Sequence, residues 1–166
     1  ESVAGWLAAR QGGEVPLPGE ALEIDYARYG RGEAQMAWLD ETLSFTVKAG
    51  QGQQVVIMVV EELLDILGQE GVGIGHLKFV LEGGGKSAKV SFTGLEEVGW
   101  EESVPELAGD EIRMLVNMRA ETEAGLLHQV LHRALEGAQD HVPFGFEESN
   151  VDFFHPAEPK PTHRLP

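Results

Sequence analysis

The stretch Ile74-Gly75-His76-Leu77-Lys78-Phe79-Val80-Leu81-Glu82-Gly83-Gly84-Gly85-Lys86-Ser87-Ala88-Lys89-Val90-Ser91-Phe92 can be read in two ways that lead to different folds. Gly83-Gly84-Gly85-Lys86-Ser87 resembles the end of a phosphate-binding loop, whose backbone N–H groups cradle phosphate at a helix N-terminus. That motif requires glycine five positions before its last glycine, where this chain has Val80, and it requires a helix afterwards. Instead of a helix pattern, Ala88, Val90 and Phe92 alternate with Lys89 and Ser91, the period-two pattern of a half-buried strand. The glycines therefore join two strands in a hairpin.

On each side of this hairpin the chain repeats one theme. Before it, Val56, Val59, Val60, Leu63, Leu64 and Leu67 recur at spacings of three and four, which predicts a helix over 53–68 with Gly68 as its C-terminal stop. The β-branched run Val55 to Val60 makes a strand the competing reading. Further upstream, Leu43, Phe45 and Val47 alternate with Ser44 and Thr46 and predict a first strand within residues 33–48. After the hairpin comes a polar loop holding Trp100, Pro105 and Gly109. Ile112, Met114, Val116 and Met118 then alternate with Arg113, Leu115, Asn117 and Arg119 as another strand. Thr122 is the expected cap of a second helix, with Leu127, Val130, Leu131 and Ala134 on one stripe and its end at Gly137. A turn at Pro143 to Gly145 and a last strand over Val151-Asp152-Phe153-Phe154 complete the order.

Strand, helix, strand, strand, strand, helix, strand is two βαβ units with one extra hairpin strand between them. The expected fold is α+β: a ferredoxin-like βαββαβ sandwich with both helices on one face of a mainly antiparallel sheet. The expected organisation is an N-terminal arm or linker over 1–32, the α+β domain over 33–155 and a proline-rich tail over 156–166. The arm reads as a short helix, Val3 to Arg10, then a turn-rich connection and an element of undecided type at Ala21 to Tyr26.

The chain has 166 residues, 42% of them hydrophobic and 24% charged, enough for one core that needs neither disulfide nor structural metal. It has no cysteine, which excludes disulfides, thiolate zinc sites, iron–sulfur clusters and a thiol nucleophile. With 28 acidic and 12 basic residues the formal charge is −16, a field that repels phosphate backbones and anionic lipid, so neither nucleic acid nor membrane is an expected partner. No apolar stretch reaches the roughly 18 residues of a membrane span. The start Glu1-Ser2-Val3-Ala4-Gly5-Trp6 has neither the basic beginning of a signal peptide nor a Met. The expectation is a cytoplasmic protein, and a piece of a longer one.

Few residues stand out as carriers of chemistry. His128 and His132 sit at i and i+4 on the second helix, the spacing that lets two imidazoles reach one divalent metal, with Glu136 continuing the row and His155 as a further donor. Gln129 occupies the place of a zincin's catalytic Glu. The helical wheel puts these histidines beside and opposite the apolar stripe, where exposed histidines are ordinary. Glu61-Glu62, Glu96-Glu97, Glu101-Glu102 and Glu147-Glu148 are adjacent acidic pairs, but adjacency does not bring carboxylates to one site. No nucleophile elbow is present. In the tail, Lys160, His163 and Arg164 stand out against an acidic body and are the candidate partner-binding residues.

The run Leu22-Glu23-Ile24-Asp25-Tyr26-Ala27-Arg28-Tyr29, the block Ile74-Gly75-His76-Leu77-Lys78 and the ending Pro161-Thr162-His163-Arg164 resemble the accessory, C-terminal-type domain of CobW-type P-loop GTPases. The resemblance implies a non-catalytic α+β module supporting contacts with a protein partner or another domain of the same polypeptide, in proteins that couple nucleotide hydrolysis to metal or cofactor handling. The chain has no Walker A, Asn-Lys-x-Asp or Cys-x-Cys-Cys motif, so none of the family's nucleotide or metal residues carries over. The expected function is thus a non-catalytic accessory or interaction domain. The alternative is a small metal-binding protein or metal-dependent enzyme that uses His128 and His132, with a divalent metal as its cofactor.

Overall fold

The structure, a computed structural model, describes residues 35–157 together with Gly32. The expected helix at Val3 to Arg10 and the undecided element at Ala21 to Tyr26 lie outside the described residues. The described elements are β1 (Ala37–Val47), α1 (Gly52–Gln69), β2 (Ile74–Gly83), β3 (Lys86–Phe92), β4 (Glu111–Ala120), α2 (Ala124–His141) and β5 (Phe144–Phe154), with a 3-10 turn at Trp100–Ser103. The strands form one sheet in the order β3-β2-β4-β1-β5, and every neighbouring pair is antiparallel. Leaving out β3, the order β2-β4-β1-β5 is that of two interleaved βαβ units; the extra hairpin strand expected from the sequence is present and stands at one edge.

One face of this sheet is the core. Leu39, Leu43 and Phe45 of β1, Leu77, Phe79 and Leu81 of β2, and Met114, Val116 and Met118 of β4 are buried, and the register aligns them in rows. Leu43, Met114 and Leu81 form one row and Leu39, Met118 and Leu77 another. The apolar stripes of both helices close over these rows, with Val56, Val59, Val60 and Leu63 of α1 and Leu127, Val130, Leu131 and Ala134 of α2 at 1% exposure or less. The other face carries the alternate residues. There Arg119 lies over the Trp38 ring at 3.8 Å and Asn117 donates a hydrogen bond to Asp40.

The segment between β3 and β4 does more than its polar composition suggests. Because β2 lies between those two strands, the chain must cross it, and it does so with Trp100, Val104 and Leu107 buried. Trp100 meets Phe92 edge-on at 5.5 Å, and Gln53 at the start of α1 donates to the Val104 carbonyl at 2.7 Å.

Three elements have ends that differ from their sequence-based expectations. Helix α1 runs through Gly68, and its stop is Gly71 in the left-handed region (φ 66°). The Val72 N–H bonds the Leu67 carbonyl and the Gly71 N–H the Gly68 carbonyl, so the last carbonyls are satisfied by a Schellman turn. Helix α2 begins after Glu123, without a side-chain cap from Thr122, and passes through Gly137 to His141. A Cβ at Gly137 would stand 3.0 Å from the Glu62 carboxylate, so this glycine serves close approach of the helices. The stop comes from Pro143, which disfavours helical geometry in the residue before it; Val142 is extended. Strand β5 begins at Phe144, absorbing the expected turn and the polar run Glu147 to Asn150. Pairing with the whole length of β1 overrides the weak strand propensity of that run.

The helices are also tied across their outer surfaces, by Arg133 to Glu70 at 2.7 Å. No described helix is long and apolar enough to cross a membrane.

Gly84 and Gly85 form the two-residue hairpin turn with φ of 57° and 76°, the conformation of a type I′ turn. At Gly84 a Cβ would lie 2.5 Å from the Ala108 carbonyl oxygen, whereas at Gly85 it would meet nothing. Gly84→Ala should therefore cost about 2–4 kcal/mol from the left-handed backbone plus overpacking. Gly85→Asn, which tolerates positive φ, should cost less than about 1 kcal/mol. Urea denaturation of the two variants checks the contrast.

Candidate metal centre

His128 and His132 flank the buried stripe of α2, and their side chains are 26% and 34% exposed. They are not turned out to solvent: the rings sit 4.6 Å apart, between the helix and the β1–β5 edge of the sheet. The groups that meet them there come from two strands.

On β5, alternation separates the adjacent acidic pair. Glu147 pairs with Ser44 and takes the open face, whereas Glu148 pairs with Leu43 and takes the helix face. Phe146 pairs with Phe45 and shares that face, and its ring lies 6.3 Å from His132. Between the pairs Thr42–Ser149 and Asp40–Asp152 the register slips, so Glu41 alone stands opposite Asn150 and Val151. This is a β-bulge, with Asn150 in the left-handed region at φ 51°. Phe153 is five positions after Glu148, an odd offset that would put the two on opposite faces of a regular strand. The extra residue of the bulge returns Phe153 to the helix face, opposite Leu39, where its ring stacks on His128 at 5.1 Å and 16°.

Glu148 and the two histidines then converge. The His132 Nε2 lies 2.6 Å from the Glu148 Oε1, and the His128 Nε2 lies 3.7 Å from the same oxygen. One ligand atom from each of the three residues falls within 4.8 Å of the others.

Beneath them is Glu41 of β1, fully buried, with Oε2 3.8 Å from the His128 Nε2. It continues a row that otherwise reads Phe79–Val116, so a carboxyl stands where the fold expects an apolar side chain. Burial is the main cause that pushes its pKa up to about 8. The neighbouring Glu148 carboxyl, as a hydrogen-bonding group and as a like charge, acts in the same direction. Apart from that carboxyl, neither Glu41 oxygen has a hydrogen-bond partner among the described residues, and the buried Nε2 of His128 has none.

Of the residues singled out from sequence, His128 and His132 do come together with a third donor. That donor is neither Glu136, which is exposed on α2, nor His155, which approaches Glu123 at 3.8 Å. Gln129 is exposed as well. The partner-binding candidates Lys160, His163 and Arg164 lie outside the described residues. Sequence reasoning missed Glu41 and Glu148. Glu41 carried a signal, since it interrupts the inward positions Leu39, Leu43 and Phe45 of an alternating strand. Glu148 carried none, because its face depends on where β5 begins.

No family model, curated protein or solved structure matches this chain.

The Glu41 carboxyl gives the metal-free protein a pH signature. Its pKa is raised from 4.5 to about 8, so between those values the folded state holds a proton that the unfolded state has released. Stability should fall as pH rises through this window, by at most roughly 1.4 kcal/mol per pH unit from this group, and level off above it. Glu148, His128 and His132 are the ionisable side chains grouped around Glu41. Glu41→Gln, which cannot ionise, should flatten the slope; thermal melts from pH 5 to 9 with a chelator present test this.

Proposed function

We propose that this domain is a divalent-metal-binding module whose ligands are His128 and His132 of α2 and Glu148 of β5. The observation that supports it is the convergence of three donor atoms, from two elements remote in sequence, within 4.8 Å of one another. Two imidazoles and a carboxylate suit zinc, cobalt, nickel or ferrous iron, and no thiolate or thioether is there to favour monovalent copper. Neutral imidazole and ionised carboxylate are also the states in which such groups bind metal at neutral pH.

The surroundings support the same reading. Phe153 stacked on His128 and Phe146 beside His132 restrict the rings, and the helix fixes their spacing. Partial exposure of both histidines leaves a route by which an ion can enter. The accessory-domain role expected from the sequence concerns partners and segments outside this cluster and is compatible with a bound metal.

Calorimetric titration with zinc, nickel and cobalt tests the proposal. One-site binding with a Kd below about 1 μM is expected, weakened about 100-fold or more in the His128→Ala/His132→Ala double variant. Heat indistinguishable between wild type and variant would reduce the cluster to a hydrogen-bonded surface feature.

A further inference from the structure

Glu41 is the only ionisable residue that is fully buried among the described residues. Nothing in the packing calls for it. Its neighbours in the row, Val116 and Phe79, are apolar, and Leu39 and Leu43 before and after it on the same face are apolar too. A buried carboxyl whose polar neighbours are only a second carboxyl, that of Glu148, and an imidazole is a standing cost to a fold, and a group of this kind asks what it serves.

We propose that Glu41 is the fourth ligand of the metal centre, completing a His2Glu2 shell of His128, His132, Glu148 and Glu41 that takes a tetrahedral divalent cation of the zinc type. The inference rests on the three-ligand reading and adds both a ligand and a coordination geometry to it.

Geometry supports the assignment on the His128 side, and Glu41, which stands outside the set of donor atoms that all lie within 4.8 Å of one another, has to close on the remaining ligands as the ion binds. Around a tetrahedral ion with metal–ligand bonds of about 2.1 Å, ligand atoms stand about 3.4 Å apart. Glu41 Oε2 to His128 Nε2 is 3.8 Å and Glu148 Oε1 to His128 Nε2 is 3.7 Å, each too long for a hydrogen bond and near that edge length. The 2.6 Å contact of His132 with Glu148 is a direct polar contact that has to open by less than 1 Å. Apart from the Glu148 carboxyl no group satisfies the Glu41 oxygens, and a central cation would satisfy them together with the unpartnered His128 Nε2.

Charge supports it as well. A divalent cation held by two neutral imidazoles and one carboxylate leaves a net positive charge beside the core, whereas Glu41, releasing its proton to solvent as the cation binds, adds a second carboxylate and makes the centre neutral. Glu41 supplies that charge from a strand hydrogen-bonded to a neighbour on each side.

Cobalt titration monitored by visible absorption tests the fourth ligand, because four-coordinate cobalt(II) absorbs far more strongly than the five- or six-coordinate ion. Wild-type protein is expected to give the intense tetrahedral spectrum. Glu41→Gln, which keeps the size and removes the charge, is expected to bind cobalt at least ~10-fold more weakly and with the weak spectrum of a site completed by water. Should that variant fail to fold by circular dichroism, Glu41→Asp, which draws the carboxylate back by one methylene, replaces it with the same expectation. A wild-type spectrum of the weak kind, or a Glu41 variant matching wild type in spectrum and affinity while His128→Ala loses binding, would overturn the fourth ligand and leave the three-ligand centre standing. Wild-type protein that binds neither cobalt nor zinc would overturn both.

Discussion

Strand β1 is hydrogen-bonded along both edges, to β4 on one side and β5 on the other, and the rest of the structure is arranged around that double pairing. Pairing fixes its register, and with a period of two the register decides which side chains face the helices. Leu39, Leu43 and Phe45 are thereby committed to the core, and Glu41 is carried in with them. A slip of one residue would expose three large apolar side chains. The apolar residues hold the strand in place, and the carboxyl has no alternative position within this fold.

The candidate centre is a consequence of the edge where α2 covers β1 and β5. A helix contributes two donors one turn apart, which fixes their spacing independently of everything else. A strand contributes donors only on alternate positions, and β5 uses a bulge to change that parity partway along. The bulge at Asn150 and Val151 allows Glu148 and Phe153 to face the same helix, one as a donor and the other as the ring that lies against His128. Glu41 stands opposite the bulge, at the one place in the β1–β5 ladder where regular pairing is interrupted.

The hairpin strand β3 and the crossover after it build the other end of the sheet. Trp100, Val104 and Leu107 are set in a segment whose residues read as polar loop, yet they extend the core past β2 because the chain has to travel over that strand to reach β4. The two ends of the sheet therefore differ: one packs against apolar side chains from the crossover, and the other carries partly buried imidazoles and carboxylates.

Local periodicity was enough to set the α+β class, the existence and order of both helices and all five strands, and the hairpin at Gly84 and Gly85. Each of these depends on which residues recur every two or every three to four positions. It also placed His128 and His132 on one side of one helix, a short-range geometric fact. Where elements stop was decided by longer-range effects. Gly68 and Gly137 look like helix ends in one dimension, but a Schellman turn at Gly71 and the residue preceding Pro143 are the actual ends, and Gly137 is a point of close helix contact. Glu41 and Glu148 reach the histidines through tertiary structure alone. Their positions depend on the pairing of β5 with β1 and on one extra residue at a bulge, and sheet register is a relation between segments about 100 residues apart in the chain that neither segment encodes alone.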